Sequence, residues 1–332
     1  MLACLVPLPA AADPAFDAQT LQDCARIQAA ALGDDYAYRE LAGLTDQVGA
    51  RLSGSPGAQA GVEYVAAAMR SLGAEVRLEP LRVPHWVRGP EGGALTAYPG
   101  QQFGIRAPLA LTTLGMSVAT PGEGIDAEVV VVADFAALHG LAPSAVRGKI
   151  VLFDYHFDER LAQAGFAGQA YGEAVRYRAF GPSEAAKLGA VAAVVRSVGG
   201  ADFRLPHTGA LVYADGVPRI PAAALAAEDA DRITRLSAQG PVRMHLLLQP
   251  RRLPDADSFN VIADLRGSEH PEAVVIVSGH LDSWDLATGA TDDGAGVAMA
   301  MQTLHTIHAL GLKPRRTIRF IAWMNEENGG RG

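Results

Sequence analysis

Apolar residues recur every three to four positions over 17–32 and again over 36–48, the period of amphipathic helices. A third helix is predicted after Ser55, which can cap it, running to Gly73, which can end it. The alternating run 74–79 then predicts a strand. Between about 84 and 250 the texture changes to short strands in Gly- and Pro-rich surroundings, at 127–133, 149–154, 191–198 and 242–248. Only short helices are suggested there, at 183–188 and 227–236. From Ser258 the order becomes strand, strand, helix, strand. Residues 259–265 alternate, 273–277 form a continuous apolar run expected to be buried on both faces, 294–310 have helical period, and 317–324 form another buried-type strand. The pattern predicts an α/β layered fold, whose ligands collect at the C-terminal ends of strands, with a small β-rich module inserted. No repeat of fixed period and no low-complexity tract is present.

The 332 residues, 49% of them apolar, are enough for about two domains with cores of their own. Lys plus Arg number 28 against 36 Asp plus Glu, a net charge of −8, and no stretch concentrates five or six basic residues. A phosphate-tracking surface is therefore excluded, and nucleic acid with it. Cys4 and Cys24 are too few for a disulfide framework and lack the paired spacing of a structural zinc site. The apolar opening 1–12 ends in Ala10-Ala11-Ala12, the small-residue pattern before signal-peptide cleavage, without a basic n-region. It reads as a shortened signal peptide, with a mature start near Asp13 and a secreted or periplasmic location. No run approaches the roughly 20 apolar residues of a membrane span.

Candidate chemistry gathers in three acidic clusters. His280 and Asp282 follow the strand ending at Val277, Asp292 and Asp293 precede the helix near Gly294, and Glu326 and Glu327 follow the strand ending at Met324. Alone, each has an ordinary explanation: a surface pair, a helix cap, a solvated turn. Together, each at a strand or helix end, they predict one acidic rim. Like charges so close repel and push some pKa values upward, a cost that a divalent cation removes. Imidazole plus carboxylates without thiolate suits zinc or another first-row metal. His305 and His308 read as ordinary helix residues, and Gly294-Ala295-Gly296 is a poor dinucleotide loop, since Met299 takes the third glycine position. Neither a Gly-x-Ser-x-Gly elbow nor a His-Glu-x-x-His helix occurs.

The run 278–285 (Ser-Gly-His-Leu-Asp-Ser-Trp-Asp), then 289–296 (Gly-Ala-Thr-Asp-Asp-Gly-Ala-Gly), then 325–330 (Asn-Glu-Glu-Asn-Gly-Gly) resembles the co-catalytic zinc metallopeptidases, especially those of carboxypeptidase Q type. Similarity extends upstream to 51–55 and 83–89. The middle segment, with 148–152 and 189–195, resembles the protease-associated (PA) domain that such enzymes carry as an insertion. The resemblance implies a three-layer α/β/α domain with a mixed sheet, incomplete here, divided as a signal remnant 1–12, a first peptidase part 13–83, a PA-like insert 84–250 and a second peptidase part 251–332.

Two zinc ions are implied as cofactors. His280 would bind one, Asp292 would bridge both, and Glu327 would bind the other. Glu326 would be the general base and Asp282 would accept a hydrogen bond from His280. A cis peptide is implied at Asp292-Asp293. The implied partner is a peptide substrate, cleaved as a dipeptide or short peptide, with a homodimer as a candidate assembly. An aminopeptidase acting on longer peptides and a metal-free binding ectodomain are the alternatives; the four residues His280, Asp292, Glu326 and Glu327 together favour an enzyme. The family pattern continues with a further Asp and a final His ligand beyond the Glu-Glu pair. The chain therefore reads as truncated, inactive alone, with full activity in a longer chain.

Overall fold

A computed structural model describes residues 16–200 and 203–332. The signal-peptide reading of 1–12, and Cys4 with it, lie outside the described residues. In chain order the elements begin with α1 (Ala18–Gly33), α2 (Tyr36–Gly43), which continues into a π-type turn (Leu44–Val48), and α3 (Pro56–Ser71). Then follow β1 (Glu75–Val87), β2 (Glu91–Ala97), β3 (Ala107–Pro108), β4 (Leu111–Thr113) and β5 (Ile125–Val132). Next come α4 (Phe135–His139), α5 (Pro143–Val146), β6 (Ile150–Phe153), α6 (Glu159–Leu161), α7 (Ala167–Lys187), β7 (Ala192–Arg196), β8 (Ala222–Leu225) and α8 (Ala227–Ser237). The last are β9 (Arg243–Leu248), β10 (Arg251–Leu265), β11 (His270–His280), α9 (Ala295–Ala309) and β12 (Arg316–Trp323).

Local signals account for several boundaries. Asp17 caps α1 by accepting from the Thr20 amide, and Ser55 caps α3 by accepting from the Ala58 amide, with Pro56 at the first helical position where its missing N–H costs nothing. Two sheets result. One has four strands in the order β1-β10-β12-β11, antiparallel except for the parallel β11–β12 pair. The other has eight, ordered β3-β2-β9-β5-β6-β7-β8-β4, with a parallel centre from β5 to β8. The antiparallel ribbon of β1 with β10 continues as β2 with β9, so the chain enters and leaves the larger sheet side by side; Val87 faces Arg251 and Glu91 faces Leu248.

Each sheet has its own apolar core. Val261, Ala263, Phe320 and Ala322 pack with Val62 and Val65 of α3 and Val297, Met301 and Leu304 of α9. Residues of 95–248 form the cores around the larger sheet. The sheets meet through directed contacts: Trp86 Nε1 donates to the Ser117 carbonyl (3.1 Å), and Arg88 forks onto Asp285 with bonds of 2.8 and 2.7 Å.

Three expectations need correction. The strand expected at 74–79 runs on to Val87, because β10 pairs with it along its whole length. Instead of a short helix at 183–188 there is a 21-residue α7 containing Pro182. Its glycines and proline read as breakers, yet Ala170, Ala174, Tyr177, Gly181 and Ala185 make one buried stripe, and Gly181 lets the helix lie against Phe153, whose ring a Cβ would meet at 2.9 Å. The apolar run in β11 is not buried on both faces: among the described residues β11 is an edge strand, and Val274, Val275 and Ile276 are 40 to 54% exposed. Strands β2, β3, β4 and β8 lie outside the expected strands; β8 is an alanine run, which carries little strand signal but is wholly buried.

Candidate metal centre

His280 ends β11, Asp292 lies in the turn Ala290–Gly294 before α9, and Glu326 and Glu327 follow β12. Because β11 and β12 are parallel neighbours, with His280 paired to Trp323, both strands deliver their following residues to the same rim. One ligand atom each from His280, Asp292 and Glu327 lies within 4.8 Å of the others. His280 Nε2 is 3.0 Å from Asp292 Oδ1 and 3.8 Å from Glu326 Oε2.

Asp282 is fully buried, but its role differs from the expected one. His280 Nδ1 bonds to the Asp282 backbone carbonyl at 3.0 Å, whereas the carboxylate is 3.8 Å away. That carboxylate instead accepts from Ser53 Oγ (3.0 Å) and from the amides of Glu326 (3.0 Å) and Glu327 (3.2 Å). It therefore sets the turn that carries the glutamates. Asn325, at φ 76°, takes the left-handed conformation that this turn requires.

Two further residues shape the rim. Asp293, joined to Asp292 by a cis peptide, accepts from the His280 amide (3.0 Å) and the Gly296 amide (3.1 Å), tying the start of α9 to the end of β11. Gly279 makes room for this, since a Cβ there would lie 2.7 Å from Asp293 Oδ2. Arg51 is wholly buried, and its guanidinium donates to the carbonyls of Leu281 (2.7 Å), Gly49 (2.7 Å), Thr288 (2.6 Å) and Gly289 (2.9 Å). It clasps both limbs of the loop between His280 and Asp292, and burial lowers its pKa to about 10 despite Asp282. The roles of Arg51 and Asp293 depend on contacts that local pattern does not contain. The usable signal was an arginine in an apolar setting and a second acid at a helix start.

The electrostatics favour a cation. Burial, then Asp292 and Asp282, push the Glu327 carboxyl up to about 7. Burial opposes protonation of His280, but Asp282 and the neighbouring carboxylates outweigh it, and its pKa rises. Both shifts reflect burial and crowded carboxylates, with His280 as the one cationic group paired to them among the described contacts. One imidazole and two carboxylates so placed fit the donor set of zinc or a similar first-row ion. A pocket of about 400 Å³ opens beside this cluster, lined by Asp292, Glu327 and the 284–291 loop on one side and by Tyr171, Arg178 and His207 on the other.

Residues 260–332 match the model of peptidase family M28. Carboxypeptidase Q from Xenopus laevis is 43% identical over 297 residues, 89% of this chain and 60% of that protein. The crystal structure of a Peptidase M28 precursor from Shewanella amazonensis SB2B is 35% identical, with a TM-score of 0.82, and the match covers 92% of this chain and 68% of that one. A zinc aminopeptidase from Bacillus subtilis, 19% identical with a TM-score of 0.59 over 87% of this chain and 60% of that one, shares the mixed α/β fold. The chain belongs to peptidase family M28. Within it, carboxypeptidase Q is a similar relative, of whose length the chain spans about 60%. No described helix is long and apolar enough to cross a membrane.

Proposed function

We propose that the chain carries the metal-binding half-site of a secreted, zinc-dependent exopeptidase acting on dipeptides or short peptides. The observation that carries this reading is the convergence of His280, Asp292 and Glu327, with Glu326 facing the same space, on a rim that has no neutralising arginine or lysine among the described contacts. In this reading segment 84–250 is a PA-type insert and the remainder belongs to a three-layer peptidase domain.

His280 and Glu327 would each hold one of two zinc ions and Asp292 would bridge them. Bound zinc supplies Lewis-acid polarisation of the scissile carbonyl and of water. Glu326, 62% exposed beside the cluster, takes the proton of the attacking water on its carboxylate and returns it to the leaving amine. Asp282, through the two glutamate amides, keeps Glu326 and Glu327 pointing at the same space, and its carbonyl orients His280. Arg51 and Asp293 hold the two approaches to Asp292 in place.

The described residues give each ion two protein ligands, one shared, where a catalytic zinc usually has three. We therefore expect the 332-residue chain to bind zinc weakly and to hydrolyse dipeptides no faster than its Glu326→Gln variant, with activity in a chain of the relatives' full length. Zinc titration and dipeptide turnover test both points. Zinc uptake unaffected by Asp292→Asn and Glu327→Gln would refute the site. Zinc-dependent turnover by the short chain that disappears in Glu326→Gln would show that its own residues complete the centre.

A further inference from the structure

The loop 281–291 joins two of the candidate ligands, His280 and Asp292, yet it has little backbone structure of its own. Residues 284–288 make no backbone–backbone hydrogen bond among the described residues. The shape of this stretch therefore rests on side chains that grip it from outside. One grip, by Arg51, comes from the part of the fold that carries the ligands. The other comes from the segment that carries the larger sheet. Arg88, between β1 and β2, donates from Nε to Asp285 Oδ2 (2.8 Å) and from Nη2 to Asp285 Oδ1 (2.7 Å). Beside it the Trp284 ring lies against Gly115, where a Cβ would overlap the ring. Gly115 is itself fixed, donating to the Gly209 carbonyl (2.9 Å) and accepting from the Leu211 amide (3.0 Å).

Arg88 is held firmly on its far side. Its Nη1 donates to Thr112 Oγ1 (2.8 Å) and to the Thr113 carbonyl, and Glu91 Oε2 lies 3.6 Å away. Glu91 in turn accepts from Thr112 Oγ1 (2.9 Å), the Thr113 amide (2.8 Å) and Thr113 Oγ1 (2.6 Å). The guanidinium also sits over the Trp86 ring, 5.1 Å from its centroid. The Arg88 side chain is 9% exposed and that of Asp285 26%, so solvent screens the pair little, and a two-bond fork fixes direction as well as distance. Trp86 and Arg88 belong to the run 83–89, and Trp284 and Asp285 to the run 278–285; the two stretches meet here. As simple glue between the sheets, an ion pair could fall anywhere along their contact. This one falls on the stretch that has no backbone support, seven positions before Asp292.

We infer that Arg88 is a positioning residue for the metal centre: through Asp285, and with Trp284 seated on Gly115, it sets the loop that aligns Asp292 with His280. This inference rests on the metal site proposed above. It adds that the larger sheet's segment takes part in building that site, because the loop is gripped by Arg51 at Thr288 and Gly289 and by Arg88 at Asp285. A ligand carboxylate must be held within about 0.5 Å of its productive place, which a loop gripped at one end only does not achieve.

Metal binding rather than turnover tests it, so the result is separate from whether the chain is active. The 332-residue chain and its variants are titrated with Co²⁺ alone, a first-row ion whose visible absorption reports the ligands around it. Arg88→Met and Asp285→Asn are each expected to weaken Co²⁺ binding by about tenfold, the lower end of what partners outside the ligand set contribute, and to alter the absorption bands. The double variant should lose no more than either single one, because both cut the same link. Arg88→Lys, which keeps the charge but not the fork, should recover part of the affinity. Arg196→Met breaks an ion pair with Asp154 and Asp231 in the same segment, away from the loop. It should lower stability yet leave Co²⁺ affinity and spectrum unchanged, which separates lost positioning from general loosening. Unaltered affinity in folded Arg88→Met, losses that add in the double variant, or an equal loss in Arg196→Met would overturn the inference while leaving the metal site standing. Co²⁺ uptake by wild type that Asp292→Asn does not weaken would refute the metal site itself, and the inference with it. Should Arg88→Met not fold, Asp285→Asn and Arg88→Lys against wild type carry the same comparison.

Discussion

Two clusters of this chain have the same ligand types, one histidine and two carboxylates, and opposite electrostatics. Asp154, His156 and Asp231, at the end of β6 and on α8, bring their ligand atoms within 4.8 Å of one another, as His280, Asp292 and Glu327 do. In the first cluster Arg196 Nη1 reaches Asp154 (3.1 Å) and Asp231 (2.6 Å), and Thr234 donates to Asp154 (2.7 Å). Burial acts to raise the Asp231 pKa, but its hydrogen bond and ion pair with Arg196 outweigh that and lower it. In the second cluster no such cation intervenes, and burial with neighbouring carboxylates lifts Glu327 to about 7. Ligand proximity alone does not distinguish the two. The missing counter-charge does, because a site already neutralised by guanidinium gains little from a metal, whereas an uncompensated one is stabilised by it.

The largest effect expected from this contrast is on chemistry. In a zinc-loaded chain of the relatives' full length, Glu326→Gln should lower kcat for a dipeptide by roughly 10²- to 10⁴-fold, the range for a positioned general base. A fall under tenfold would remove Glu326 from proton transfer. Next in size, Arg196→Met leaves the buried Asp154 facing Asp231, whose side chain is 40% exposed, and should destabilise the protein by about 2–4 kcal/mol in urea unfolding. A loss below about 1 kcal/mol would mean that water, not Arg196, compensates the first cluster, and the contrast would fail.

A smaller effect concerns pH. Glu327 and His280 both have raised pKa values, so between about 4.5 and 7 the folded, metal-free protein holds more protons than the unfolded chain. Their contribution is fully present below the unfolded pKa of glutamate and is lost as pH rises through about 7. Wild type should therefore lose on the order of 1–3 kcal/mol relative to Glu327→Gln over that window. Added zinc should reverse the trend, since the ligands must be deprotonated to bind it. Parallel pH profiles for the two proteins would contradict the uncompensated charge. Smallest is His156→Ala, at a side chain 63% exposed and 3.8 Å from Asp154. It should change stability by under about 0.5 kcal/mol and leave zinc stoichiometry unaltered, and a drop in bound zinc would make the first cluster a metal site after all.

Much of the frame was legible because its causes are local. Ser55 caps α3, apolar period places α1, α2 and α9, and the acids at strand and helix ends mark the rim. Local reading failed where a partner decided the outcome. α7 survives its glycines and Pro182 because a stripe of small residues packs on the sheet, and the apolar residues of β11, an edge strand, stay exposed because no described element covers them. Sequence by itself determined which residues could bind a cation and the order in which the chain presents them. Only tertiary structure decided which carboxylates lack a counter-ion and how Asp282 serves the glutamates. It likewise decided that Arg51 clasps a loop 230 residues away and that Arg178 faces the acidic cluster across a shared pocket. Charge compensation and burial are sums over neighbours brought together by folding, and no short window of sequence contains them.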